Sequence, residues 1–269
     1  MPESTPTAAV YEGIKTAEGL ERLASEPIAV VVGTEGVTKT WHLPKQLLVK
    51  ASPFFAAALN GPFAEATSKL VNLPEDNTEA FALFIRWLFV GDISGKSFHS
   101  GYKASGYKAS GKDHSGYKAS GYKASGDEVL GTWGDTSNSS AFFPSMQVCL
   151  QACILGDKLG CPMFHDLAML ELIESHESRG IRSKTMQFAF EMSAPGSKLR
   201  RFSIDQLRWN IECETVSEDA AAYVSAAKIA EDFALDFLKA CIEGNCRNPL
   251  NPIGHRGRYM EVLTFTEEG

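Results

Sequence analysis

Long apolar runs are missing from this sequence. No stretch approaches the ~20 consecutive apolar residues that a membrane-spanning helix needs. Residues 1–10 contain neither the basic segment nor the apolar segment with which a secretory signal begins. We therefore expect no membrane partner and a location in the cytoplasm or the nucleus.

Basic residues are also few. The 269 residues include 26 Lys and Arg against 33 Asp and Glu, so the formal net charge is −7 at pH 7. Because phosphate binding depends mainly on clustered Lys and Arg side chains, this composition disfavours direct DNA binding. With 44% hydrophobic and 22% charged residues, the chain is an ordinary globular protein, long enough for one well-buried core and a second lobe.

Cysteine pairs with the spacing of metal ligands are absent. None of the six cysteines stands in a CxxC pair. The nearest candidate, Cys161 with His165, has no third ligand in the sequence. Cys149 and Cys153 fall on the apolar face of a predicted helix, which is typical of buried, reduced thiols. We expect neither a metal nor a cofactor.

Catalytic signatures are likewise absent. Residues 91–97 resemble a phosphate-binding P-loop but are one residue too short. Residues 106–112 have the right spacing, but Asp113 follows where the motif requires Ser or Thr. The GxSxG, HExxH and GxGxxG motifs do not occur. The sequence therefore predicts a protein that is not an enzyme, and a nucleotide-binding protein or enzyme is the least favoured alternative.

Residues 26–91, in contrast, carry a clear succession of strand and helix patterns. Residues 28–32 form an apolar run of strand length, and residues 37–41 alternate as a half-buried strand does. Ser52 before Pro53 predicts a helix N-cap, because proline at the first helical position loses no hydrogen bond. The remaining predicted elements are a turn at 33–36, a strand at 70–73 and a helix at 78–89 capped by Asn77 or Thr78.

Four segments of the sequence are distinctive when taken together: IAVVVG at 28–33, PKQLLVKASPFF at 44–55, LPEDN at 73–77 and GDKLGCP at 156–162. They resemble the BTB/POZ domain, a protein-interaction and dimerisation module, in its fungal form. The resemblance covers most of residues 14–176. The chain departs from the family pattern at Pro44, where His is usual, and at Glu26, where Asp is usual. In the family both positions lie near the pocket between the two chains of a dimer.

The resemblance implies both a fold and a function. The fold is α+β, with a small three-stranded sheet capped by a cluster of helices and followed by an α-helical C-terminal extension. The function is that of a non-catalytic protein–protein interaction module that forms a homodimer. Since the first helix of the family crosses the dimer interface, the implied interface residues are Ile14, Ala17, Leu20 and Leu23.

A second implied surface is the triplet Phe63, Ala64 and Glu65. BTB proteins that serve as substrate adaptors of cullin-type ubiquitin ligases carry a hydrophobic-x-acidic triplet at this place. By this resemblance Phe63 is the apolar anchor that enters a groove of the cullin, and Glu65 is the charge that orients it. The implied partners are a cullin scaffold and a substrate of unknown identity. The alternative is a BTB regulator of transcription or chromatin that acts through recruited partners.

The sequence also predicts the order of domains. The Ser-Gly-Tyr-Lys-Ala tandem repeat inside 94–144 is expected to be a disordered loop, because one aromatic residue per Gly/Ser-rich repeat buries too little surface to offset chain entropy. Helical patterns at 185–192, 199–211 and 218–242 predict three helices. The predicted organisation is a flexible N-terminus at 1–12, a BTB domain at 13–176 interrupted by that loop, a helical extension at 177–246 and a tail at 247–269.

Overall fold

The computed structural model describes residues 16–34, 36–93, 145–175, 181–213, 216, 218, 220–229, 231–243, 249 and 251–263. Across these residues the fold is α+β, with a small three-stranded sheet and a majority of helices. The predicted flexible N-terminus and the predicted repeat loop lie outside the described residues. Membrane-spanning helices were the subject of a separate expectation. In the part of the chain that the structure describes, no helix is long and apolar enough to cross a membrane.

The sheet has its first strand in the middle. Strand β1 (Pro27–Val32) pairs antiparallel with β2 (Lys39–Pro44) and parallel with β3 (Leu70–Leu73). The apolar side chains of β1 that face the core are Ile28, Val30 and Val32. The second strand begins later than predicted, because the Val37 N–H group donates a hydrogen bond to the Thr34 carbonyl oxygen at 3.0 Å and so belongs to the turn.

Five helices accompany the sheet: α1 (Ala17–Leu23), α2 (Lys45–Ala51), α3 (Pro53–Asn60), α4 (Ala64–Ser68) and α5 (Thr78–Val90). Side chains cap three of them, and the caps at Ser52 and Asn77 are those that the sequence predicts. Thr16 caps α1, Ser52 caps α3 and Asn77 caps α5 by accepting hydrogen bonds from backbone N–H groups of the first turn. The predicted start of a helix at Pro53 is confirmed.

Helices α6 (Met146–Leu159) and α7 (Pro162–Ser175) form a hairpin that packs on α5. The Phe164 ring contacts the rings of Phe84 and Trp87, with centroid distances of 5.5 and 5.7 Å. The two helices of the hairpin approach closely at Gly156, where a Cβ atom would lie 2.9 Å from the Cα atom of His165. Glycine is therefore required at this contact.

A buried junction joins the hairpin to the first half of the fold. The Ser52 hydroxyl donates a hydrogen bond to the Leu159 carbonyl oxygen at 2.6 Å and accepts one from the Phe55 N–H group at 3.3 Å. The Cys161 thiol donates to the Ala51 carbonyl oxygen at 3.3 Å. A single serine thus caps α3 and also satisfies a carbonyl group at the end of α6.

The helical extension consists of α8 (Ser183–Met192), α9 (Lys198–Glu212), α10 (Ala220–Ile229) and α11 (Glu231–Glu243). A single helix is predicted at 218–242, and the structure gives helices on both sides of residue 230, which lies outside the described residues. Helix α10 packs on α8, whereas α11 packs on α9. Side chains from all four helices form a second hydrophobic cluster, which includes Phe190, Leu207 and Phe233.

The segment predicted as a tail packs on the core over residues 251–263. Tyr259, in a short 3₁₀ helix (Arg256–Tyr259), is fully buried, and its hydroxyl donates a hydrogen bond to Asp205 at 3.0 Å. The carboxylate of Asp166, in α7, accepts hydrogen bonds at 2.7 to 2.8 Å from the backbone N–H groups of residues 261–263. These bonds hold the end of the described chain against α7.

We predict that Ser52→Ala lowers the free energy of unfolding by about 2 kcal/mol, because it removes a helix cap and the hydroxyl donor of the buried Leu159 carbonyl oxygen, which keeps only the longer contact with the Cys161 thiol at 3.6 Å. The measurement is urea denaturation followed by circular dichroism. Ser68→Ala, at the exposed end of α4, is the control and should change stability by less than about 0.5 kcal/mol. Equal stability of the two variants would contradict the role assigned to Ser52.

Candidate functional site

The predicted triplet lies on a short connection between α3 and β3. Helix α3 ends at Asn60, and Phe63 has an extended backbone (φ −94°, ψ 158°) at the N-cap position of α4. The side chain of Phe63 is 55% exposed, which is unusual for a phenylalanine. Ala64 is exposed and Glu65 is half-buried in the first turn of α4.

The Phe63 ring packs against the backbone at Gly61. A Cβ atom at Gly61 would lie 2.9 Å from Cδ2 of Phe63 and 2.4 Å from the Ala57 carbonyl oxygen. That carbonyl oxygen already accepts a hydrogen bond from the Gly61 N–H group at 2.9 Å. Glycine therefore leaves room for one edge of the Phe63 ring beside the backbone, while the residue stays more than half exposed.

Helix α4 holds the triplet in a single turn. The Ala66 N–H group donates to the Phe63 carbonyl oxygen at 3.2 Å, and the Lys69 N–H group donates to the Glu65 carbonyl oxygen at 2.9 Å. Lys69 has a left-handed backbone (φ 57°), which turns the chain directly into β3. Phe63 and Glu65 therefore belong to one short, locally closed structure.

The second predicted surface is α1, and its predicted interface residues differ in how exposed they are. Ala17 and Leu20 are exposed, and Leu20 is 61% accessible to solvent. Leu23 instead packs against the hydrophobic core, and Ile14 lies outside the described residues. The outer face of α1 thus presents Ala17 and Leu20, while Leu23 attaches the helix to the rest of the fold.

The two positions that depart from the family pattern lie side by side. Pro44 ends β2 and pairs in register with Pro27, the first residue of β1. The carbonyl oxygen of Glu26 accepts a hydrogen bond from the Lys45 N–H group at 2.9 Å. The carboxylate of Glu26 forms an ion pair with Lys69, which follows α4. This ion pair connects the residue that precedes β1 with the residue that follows α4, the helix that carries the triplet.

Three cysteines of the hairpin region, Cys149, Cys153 and Cys161, are free and buried, as predicted. Burial raises the pKa of the Cys161 thiol to about 12, against a smaller opposite effect of the hydrogen bond with Ser52. Burial likewise raises the pKa of Cys149 and of Cys153. These thiols therefore stay protonated near neutral pH and behave as small apolar side chains.

His165 has acidic neighbours. Its Nδ1 atom lies 3.2 Å from the Asp166 carboxylate, and its Nε2 atom lies 3.7 Å from the Asp157 carboxylate. Burial raises the pKa of Asp157, although the nearby His165 lowers it. Among the residues that the structure describes, no group of three or more His, Cys, Asp and Glu residues is arranged to hold a metal ion.

Asp166 is the polar residue whose role the sequence analysis missed. It is completely buried, and it fixes the C-terminal segment through backbone hydrogen bonds. The signal was an acidic residue, next to His165, within the largely apolar stretch at 163–170 of α7. A buried carboxylate is costly unless it is hydrogen-bonded, so this position required donors from elsewhere in the chain.

Comparison with protein-family models, with curated proteins and with solved structures finds no match to this chain in any of the three.

The three buried thiols should resist alkylation in the folded protein. At pH 8 a thiol with a pKa near 12 is ionised in only about one molecule in ten thousand, whereas Cys213 is exposed. Iodoacetamide treatment, followed by digestion and mass spectrometry, should label Cys213 and leave Cys161 unmodified until the protein is unfolded in urea. Equal labelling rates for Cys161 and Cys213 in native buffer would contradict this account.

Proposed function

We propose that this protein is a non-catalytic interaction module with a BTB-type fold, which forms a homodimer through α1 and recruits a cullin-type scaffold through Phe63 and Glu65. The observation that carries the proposal is Phe63 itself. A large aromatic side chain stays more than half exposed although the fold provides a well-packed core. Exposed aromatic residues that are held in place are the usual anchors of protein interfaces.

The order of elements supports the BTB-type fold. An antiparallel hairpin, three helices, a strand parallel to the first one and a long buried helix follow each other between residues 27 and 90. The segments that carry the family resemblance lie where one element of this arrangement ends and the next begins. Ser52 and Pro53 begin α3, and Gly160 ends α6 in a left-handed conformation beside Pro53. The sequence motif thus coincides with the residues that connect the parts of the core.

The form of the triplet supports the proposed cullin contact. Phe63 offers apolar surface that binding can desolvate, and Gly61 leaves room for one edge of its ring beside the backbone. Glu65 is only two residues away on the same closed turn. An anchor that is already ordered loses less entropy on binding than a mobile one.

Homodimer formation is tested by sedimentation velocity at tens of micromolar. The wild type should sediment as a dimer, and Leu20→Asp should give monomers, because an aspartate in the α1 interface must be desolvated without a partner. Val37→Asp, on the exposed turn before β2, is the matched control and should remain dimeric. A wild type that sediments only as a 29.3 kDa species would contradict dimer formation.

The scaffold contact is tested by calorimetric titration with a purified cullin N-terminal domain. Phe63→Ala should weaken binding by about 2 kcal/mol, roughly thirtyfold, because it removes a desolvated anchor. Glu65→Lys should weaken binding further by reversing the charge beside that anchor. Val90→Ala, an exposed apolar change at the end of α5, should leave the affinity unchanged. Absence of binding by the wild type at tens of micromolar would contradict the adaptor proposal.

A further inference from the structure

Helix α11 is apolar on two opposite sides. One side faces the second hydrophobic cluster with Phe233, Phe237 and Ala240. The opposite side carries a stripe of exposed apolar residues, which we call the outer stripe: Leu235 (54% exposed), Leu238 (57%) and Ile242 (82%). The packing of α11 on its own chain therefore accounts for only one of its two apolar sides.

The spacing of the outer stripe is that of a helix–helix contact. Its members follow each other at intervals of three and four residues, which places them in one line along the helix. The same alternation of three and four residues separates the apolar residues along the contact line of a coiled coil. There, each apolar residue inserts between residues of the facing helix. Exposed apolar residues gathered in one line mark an interaction surface more strongly than scattered ones.

Charges along one flank indicate which helix fits. Asp232 and Lys239 are seven residues apart, so they lie on the same flank of the outer stripe, two turns from each other. The opposite flank carries Ala234, which is exposed and uncharged. In its own chain Asp232 already contacts the Arg200 guanidinium at 3.1 Å, but its side chain remains 58% exposed. It is therefore available for a further cation.

A second copy of α11 complements this pattern. In an antiparallel pair of helices, like flanks face each other across the two-fold axis, so Asp232 of each copy meets Lys239 of the other. In a parallel pair, the charged flank would face the uncharged flank with Ala234, and neither charge would gain a partner. Leu235 and Leu238 lie nearest the axis in the antiparallel arrangement, and Ile242 lies toward the ends of the contact.

We propose that the outer stripe of α11 is a second self-association surface, on which α11 of another copy packs antiparallel. This surface is separate from α1, so the inference goes beyond the proposed function. A protein with two independent two-fold contacts can join its dimers into larger assemblies. Two single helices bury less than the ~1,200 Å² of a standard stable interface, so the contact is weak alone and gains strength when dimers are joined.

The test is sedimentation analysis of the full chain in a Leu20→Asp background, which removes the α1 contact and leaves only α11. Up to about 500 µM, the average mass should rise with concentration toward a dimer. Adding Leu238→Asp or Ile242→Asp should weaken this association at least about tenfold, since either places a charge in the apolar seam. Adding Met192→Asp, an exposed apolar position at the end of α8, is the matched control and should have no effect.

The antiparallel orientation of the two α11 helices is tested by adding Lys239→Glu to the Leu20→Asp variant. This variant should also weaken association by about tenfold, because each copy then places two acids against each other. Circular dichroism confirms that every variant is folded. Association that is insensitive to Leu238→Asp and Ile242→Asp, or no association at all, would overturn the proposal. Association that depends on the outer stripe but not on Lys239 would overturn the antiparallel pairing.

Discussion

The buried hydrogen bond from Ser52 to the Leu159 carbonyl oxygen is the constraint on which the rest of the structure depends. It connects residues 107 positions apart in the sequence, at 2.6 Å. Gly160, in a left-handed conformation, lets the chain turn beside the Pro53 ring, where a Cβ atom would lie 3.3 Å from the ring. The sheet half and the hairpin half of the core meet at this joint, so the long segment between them can vary without disturbing the contact.

Phe63, Leu20 on α1 and the outer stripe of α11 are among the apolar features that remain exposed once this core is complete. Each belongs to a helix, or to a helix cap, whose inner side is already fixed by packing. Phe63 lies on α4, which adjoins α3 and β3, and α11 lies on α9 and α10. The three surfaces thus lie on separate helices or helix caps of the fold, as the proposed contacts with several partners require.

Features set by neighbouring residues were predictable from the sequence. The caps at Ser52 and Asn77 and the strands β1 and β3 follow from local patterns, and the exposure of Phe63 agrees with its place in a spacer. Features set by distant partners were not. The two parts of the region at 220–243 pack on different neighbours, α10 on α8 and α11 on α9, and the helical pattern alone does not name those neighbours. Asp166 finds its donors 95 to 97 residues away, and no local pattern contains that information.

The central claim is that α1 is an interface and not only a cover for the core. Hydrogen–deuterium exchange of its backbone amides at two protein concentrations tests this claim most directly. Helix α1 has only 7 residues and would be weakly protected without a partner. We predict that exchange in α1 is at least about tenfold slower at ~50 µM than at ~100 nM, while β1 is unchanged. Identical exchange of α1 at both concentrations would contradict the account.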